Sequence, residues 1–138
     1  MREMRAFDLT GRTALITGGG SGIGKGCAKI LADAGANVFV IGRRESKLQE
    51  VCEEIQGQDG ICDYYAADLS REENCEAMVQ ACVKRFGRLD ILINSAGSRG
   101  AHGTLEEEFS AENLRDVMDV DFNSTFWAIK YAYPECQK

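Results

Sequence analysis

The sequence predicts an α/β protein, one domain over its 138 residues, built on a parallel sheet with helices on both faces. Two observations carry this. Short apolar runs alternate with stretches of helical periodicity in the order β-α-β-α-β-α-β-α, and strands separated by amphipathic helices pair in parallel through right-handed crossovers. The residues of chemical character fall directly after the strand candidates, at the carboxyl ends where such sheets hold ligands. The expected architecture is a doubly wound, Rossmann-type sheet of about four strands and four helices.

The first strand is Thr13–Thr17, with Ala14, Leu15 and Ile16 at its centre. The helix after it carries Ile23, Cys27, Ile30, Leu31 and Ala34 on one face and stops at Gly35. A second strand at 37–41 leads to a helix with Leu48, Val51, Cys52 and Ile55 at core spacing. A third, at 62–66, precedes a helix with Cys75, Met78, Val79, Cys82, Val83 and Phe86, ended by Gly87. The fourth strand is Ile91–Asn94. A final long helix is expected over about 111–133, with Ser110 as its N-cap and Asn113 where a full capping box wants Glu or Gln. No repeat, low-complexity tract or linker interrupts the series.

Between the first strand and its helix, residues 17–24 read TGGGSGIG. Glycine at 18, 22 and 24 removes side chains that would keep a pyrophosphate from the backbone, and the unpaired N–H groups of the next helix point at that anion. The spacing G-x-x-x-G-x-G differs from the commoner G-x-G-x-x-G, which would place Ile23 at the third glycine. Gly19, Gly24 and Lys25 also fit the start of a nucleotide-triphosphate P-loop. That motif needs a Ser or Thr hydroxyl for Mg²⁺ where this chain has Gly26, and its metal-binding Asp follows an apolar strand, whereas Asp90 precedes one. A glycine-rich turn that binds nothing is the remaining alternative, against the entropy that glycine loses on folding.

Composition narrows the partners. With 44% hydrophobic and 28% charged residues the chain is ordinary globular material, long enough for one core. A net charge of −6, with basic clusters no longer than the pairs Arg43-Arg44 and Lys84-Arg85, leaves no footprint for nucleic acid. The opening MREMRAFDLTGR has no apolar core for a signal peptide and no later run approaches a membrane span, so a cytoplasmic protein without a membrane partner is expected. Of the six cysteines, Cys27, Cys52, Cys75 and Cys82 fall on apolar helical faces and none forms a C-x-x-C, which favours core packing over disulfides or metal. His102, the only histidine, lies among small and polar residues and reads as a solvated loop residue rather than a metal ligand or catalytic base.

Four spaced motifs together resemble the short-chain dehydrogenase/reductase family over essentially the whole chain. TGGGSGIG is similar to that family's T-G-x-x-x-G-x-G turn. Asp68, in Ala67-Asp68-Leu69-Ser70, is similar to its adenine-side aspartate, and NSAG at 94–97 to its N-N-A-G, with Ser95 as the departure. VMDVDFNSTF at 117–126 resembles the segment that carries the family's catalytic asparagine. The resemblance implies a dinucleotide site made by Gly18, Ser21, Gly22, Ile23, Gly24, Arg43, Arg44, Asp68, Leu69, Asn94, Ala96 and Gly97. It places the catalytic asparagine at Asp121, whose carboxylate is expected to add buried charge; Asn123 is the competing register. Taken singly, Asp68 could cap the helix near Arg71, and Asn94 could anchor a turn.

The family's proton donor is a Tyr with a Lys four residues on, so that the ammonium lowers the phenol's pKa. Four residues beyond Tyr64, Tyr65, Tyr131 and Tyr133 stand Asp68, Leu69, Glu135 and Gln137. The resemblance therefore implies an oxidoreductase that moves a hydride between a nicotinamide and a small-molecule carbonyl or secondary alcohol, this chain being its N-terminal, cofactor-binding part, truncated before the Tyr/Lys pair and inactive alone. The alternative is a truncated module, nucleotide-binding or for assembly, that catalyses nothing. NAD-binding members hold the ribose 2′-hydroxyl with an acidic residue about 20 residues beyond the turn. Here that place is Gly42, followed by Arg43 and Arg44 with forked donors suited to a 2′-phosphate, so NADP(H) is expected over NAD(H) unless the arginines merely begin the next helix. An open fourth-strand edge, and a helical face of Val117, Val120, Trp127 and Tyr131, are expected to drive homo-oligomerisation or the docking of a missing C-terminal portion.

Overall fold

Strand β1 (Thr13–Thr17) is buried at all five residues, because it lies between two neighbours in the sheet. The computed structural model describes residues 7–98 and 110–138. On one side of β1 runs β2 (Asn37–Gly42), in register Leu15↔Phe39, and on the other β4 (Ile91–Asn94), in register Leu15↔Leu92; β3 (Ile61–Ala66) pairs with β2. All pairs are parallel and the order is β3-β2-β1-β4. Strand limits agree with the expected ones to within one residue, β2 running on to Gly42 and β3 starting at Ile61.

Alternation along the strands divides the core in two. Ala14, Ile16, Val38, Val40 and Cys62 face the helices α1 (Gly22–Asp33) and α2 (Glu45–Gln56). Leu15, Phe39 and Ile41 face α3 (Glu72–Phe86) and the last helix. The expected faces of α2 and α3 hold: Leu48, Val51, Cys52 and Ile55 are buried, as are Cys75, Met78, Val79 and Cys82. Helix ends follow the glycines, with Gly35 just beyond α1 at φ +98° and Gly87 at φ +79° as the cap of α3.

The face expected for α1 requires correction. Its buried positions are Gly24 and Ala28, with Leu31 and Ala32 beside them, while Ile23 is 81% and Ile30 70% exposed. A stripe of small residues lets the helix backbone approach the sheet, and the larger isoleucines stand outside it. Cys27 is correspondingly half-buried rather than core.

The last helix begins as expected, with the Asn113 N–H donating to Ser110 Oγ at 3.1 Å. It runs as α4 (Ala111–Val117), a π-helical turn (Met118–Asn123) and α5 (Ser124–Cys136). Half of the face expected to need cover, Trp127 and Tyr131, is already covered, while Val117 and Val120 remain part-exposed. Trp127 and Tyr131 pack with α3, where Tyr131 Oη donates to Glu72 Oε1 at 2.7 Å. The uncovered stripe is instead Leu114, Met118, Phe122, Phe126, Ile129 and Tyr133. Among the described residues β4 pairs only with β1, and no helix is long and apolar enough to cross a membrane.

At the amino end of the sheet, Asp90 accepts hydrogen bonds from Thr13 N (2.9 Å), Arg88 Nε (2.8 Å) and Arg12 Nη1 (3.3 Å). Arg88 above all, with the Thr13 N–H and Arg12, holds its carboxyl down at about 2 from an ordinary 3.8. A carboxyl depressed in the folded state stabilises above its unfolded pKa and loses that contribution as pH falls through the folded value. Stability should therefore fall between about pH 4 and pH 2, by about 1–2 kcal/mol once the exposed arginines are discounted. Asp90→Asn should remove this slope from urea denaturation measured as a function of pH. A variant with an unchanged slope would show that another group governs acid sensitivity.

Candidate functional site

At the carboxyl ends of the strands the loops enclose an open groove of about 340 Å³. Its position follows from the topology: the chain leaves β1 toward the α1 face, while β4 leads toward the opposite side. The two loops are tied at the divide. Thr17 Oγ1 accepts the N–H groups of Ser95 (3.1 Å) and Ala96 (3.2 Å). Gly18, at φ +64°, lies so close that a Cβ there would stand 2.6 Å from the Ser95 carbonyl oxygen. The Gly19 N–H donates to the Ile41 carbonyl at 3.1 Å, pinning the turn to β2.

Ser21 is the N-cap of α1, in extended conformation, and its hydroxyl makes no capping bond. The first N–H to bond back is that of Lys25, to the Ser21 carbonyl at 3.2 Å, so the amides of Gly22, Ile23 and Gly24 are the unsatisfied donors of the helix start. No acidic residue stands in that first turn, unlike those of α2 and α3. The positive end of α1 is thus uncompensated and open to an anion.

The facing wall comes from the end of β2 and the start of α2. Gly42, Arg43, Arg44, Lys47 and Leu48 line it. Arg43 and Arg44 are exposed, and among the described residues neither has an ion-pair partner. Lys47 shares its charge with Glu50 at 3.4 Å. Beyond β3, Asp68 accepts the Ser70 N–H at 3.0 Å and not an amide of α3, whose N-cap is Arg71. The bonds from Ser70, and then the Arg43 and Arg71 charges, hold the Asp68 carboxyl below its usual range and keep it ionised.

Ten of the twelve residues expected to bind cofactor line this groove: Gly18, Ser21, Gly22, Ile23, Arg43, Arg44, Asp68, Leu69, Ala96 and Gly97. Gly24 lies beneath, against the Gly18 carbonyl, and Asn94 ends β4 opposite Thr17. Gly20, Lys47, Leu48, Ala67, Ser95 and Val120 also line it and were not foreseen. Lys47 had a legible signal, being three residues after Arg44 and so on the same face of α2. Val120 had none, since it arrives from a helix docked across the fold.

Asp121, in the π-helical turn, accepts the Ser98 N–H on Oδ1 at 2.6 Å, so it holds the loop after Gly97 rather than lining the groove. It is exposed, and the buried charge expected there does not arise. Asn123 Nδ2 donates to Asp119 Oδ1 at 2.8 Å. The tyrosines stand outside the groove. Tyr131 has Lys130 beside its ring, yet the bond to Glu72 and then burial push its phenol up, opposite to what a proton donor near neutrality needs. His102 lies outside the described residues.

A family model described as short chain dehydrogenase matches residues 12–138. The chain belongs to that family. It is 35% identical to a cyclohexanol dehydrogenase of Acinetobacter sp. (strain SE19), over 97% of this chain and 53% of that protein. A crystal structure of a dehydrogenase/reductase from Sinorhizobium meliloti 1021 superposes with a TM-score of 0.91 at 36% identity, covering 96% of this chain and 52% of the other. A metagenomic short-chain oxidoreductase solved in complex with NADP gives a TM-score of 0.87 at 28% identity, covering 93% and 57%. The chain spans about half the length of the curated relatives it matches.

Proposed function

We propose that this chain is the cofactor-binding portion of a cytoplasmic, NADP(H)-dependent oxidoreductase acting on a small-molecule carbonyl or secondary alcohol. The observation that carries the reading is a groove with the uncompensated amides of α1 on one side and, on the other, Arg43 and Arg44, which have no ion-pair partner among the described residues, with glycine at 42. The amides of residues 22–24 suit a pyrophosphate, and the arginines, with the Ser21 hydroxyl, suit a 2′-phosphate. Asp68 offers an acceptor on the adenine side, with Leu69 for the ring. Asn94, Ala96 and Gly97 serve the nicotinamide ribose side. Bound nicotinamide would supply the hydride; the protein orients it and excludes wrong geometries. Asp121 contributes by fixing the Ser98 loop. The relative solved with NADP supports this coenzyme class.

The 138 residues contain no Tyr-x-x-x-Lys, which supports binding without turnover by this polypeptide. Calorimetry should find NADP(H) bound at least about tenfold more tightly than NAD(H), a difference of about 1.4 kcal/mol. Equal or reversed affinities would overturn the coenzyme assignment. Measurable carbonyl reduction by this polypeptide would overturn the division of labour.

The same reading extends to a homo-oligomer. Six apolar side chains along the last helix are 42–61% exposed. Their burial would remove about 600 Å² per protomer, and about 1,200 Å² per pair reaches the lower limit of stable interfaces. Sedimentation should show a dimer that Phe122→Asp converts to monomer. A monomeric parent at high concentration would count against the stripe as an interface.

A further inference from the structure

The turn at 57–60 folds β3 back onto α2 with little slack. Gly60 N donates to the Ile55 carbonyl at 2.9 Å, and a Cβ on Gly60 would stand 2.6 Å from Ile55 Cγ2. Asp59 occupies the left-handed region at φ 64°, and Gln56 Nε2 reaches across to the Cys62 carbonyl at 3.0 Å. The result is a close pair of thiols, Cys52 on α2 and Cys62 on β3, with sulfurs 2.7 Å apart. A disulfide bond is about 2.05 Å long, so bonding needs an approach of well under an ångström. Among the six cysteines this is the one pair with sulfurs in hydrogen-bonding contact: Cys75 donates to the Leu69 carbonyl, Cys27 is half-buried, and buried Cys82 feels the exposed Cys136 only through its charge.

We propose that Cys52 and Cys62 form a peroxide-responsive pair whose oxidation clasps α2 to β3 by a disulfide. Both residues are only 3–4% exposed, which favours an oxidant of nearly water size over a bulky disulfide. One sulfur attacks hydrogen peroxide, the O–O bond breaks, and a sulfenic acid and one water result. The second sulfur then attacks the first, the S–S bond forms as the S–O bond breaks, and the departing hydroxyl takes the remaining thiol proton and leaves as a second water. Two thiols are oxidised and one peroxide is reduced to two waters. The neighbouring thiol intercepts the sulfenic acid before it can advance to sulfinic acid. The hydrogen bond shared with Cys52, and then burial, push the Cys62 thiol up, so Cys62 is a slow nucleophile toward peroxide. Because α2 also carries Lys47 and Leu48, the clasp fixes one wall of the groove.

The test is peroxide treatment of the native chain followed by alkylation and a non-reducing peptide map. The expected product has lost the mass of two hydrogens, joins the Cys52 and Cys62 peptides, and reverts with dithiothreitol. In Cys62→Ser, Cys52 should accumulate as a sulfenic acid captured by dimedone. Cys52 and Cys62 remaining thiols while Cys136 oxidises, either one advancing singly to sulfinic acid, or a bridge to another cysteine would each overturn the proposal. The wild-type map decides this even if the variant fails to fold.

Discussion

Gly24→Ala is expected to destabilise the fold by about 3 kcal/mol, the upper end of what forced overpacking costs, and to abolish dinucleotide binding. A Cβ on Gly24 would collide with the Gly18 carbonyl oxygen, stand 2.8 Å from the Gly18 carbonyl carbon and 3.2 Å from Gly19 Cα. All three are backbone atoms, so no rotamer change can relieve the contact. The turn would have to lift off the helix, and it cannot follow freely because Thr17 is tied to the Ser95 and Ala96 amides beside Gly18. The amides that face the groove would then lose their alignment. Gly26, two residues on in the same helix, supplies the control: a Cβ there meets nothing within 4 Å. Gly26→Ala should stabilise by about 0.5–1 kcal/mol through helix propensity alone. Urea denaturation of the two variants beside the parent decides it, and equal midpoints for Gly24→Ala and the parent would refute the close-approach account.

That contrast also marks what could be read from sequence. The glycines at 18, 22 and 24 pointed to a phosphate turn because their effect is local, acting through allowed φ and missing side chains. Strand limits, the faces of α2 and α3, and the Ser110 cap were legible for the same reason. The face of α1 was not, because hydrophobicity ranks Ile23 and Ile30 above Gly24 and Ala28, whereas close helix-to-sheet packing selects the small residues. On the last helix, apolar residues occur on two sides, and only the docked α3 determines which side is covered. Val120 reaches the groove from that docked helix. Asp121 was singled out by its motif, but its contact with the Ser98 N–H depends on where the loop after β4 lies, which no local pattern encodes.

Arg43→Ala should weaken NADP(H) binding by about 1.5–3 kcal/mol, the scale of a charge-assisted hydrogen bond, or about 10- to 150-fold in Kd. NAD(H), with no 2′-phosphate, should be almost unaffected. Arg43 lines the groove, its charge acts on Asp68 across it, and among the described residues it forms no ion pair. Its donors are therefore available without first breaking an ion pair, whereas Lys47 would have to leave Glu50. Lys47→Ala should accordingly cost less. Arg43→Lys retains the charge but loses the forked geometry that matches a phosphate, so it should fall between the parent and Arg43→Ala. Because Arg43 is exposed, the parent's preference for NADP(H) should shrink as salt rises, while the NAD(H) affinity stays nearly level. Calorimetry of the four proteins against both coenzymes at two ionic strengths separates the cases. Equal losses for both coenzymes in Arg43→Ala would mean that the residue supports the fold of the groove and reads no phosphate.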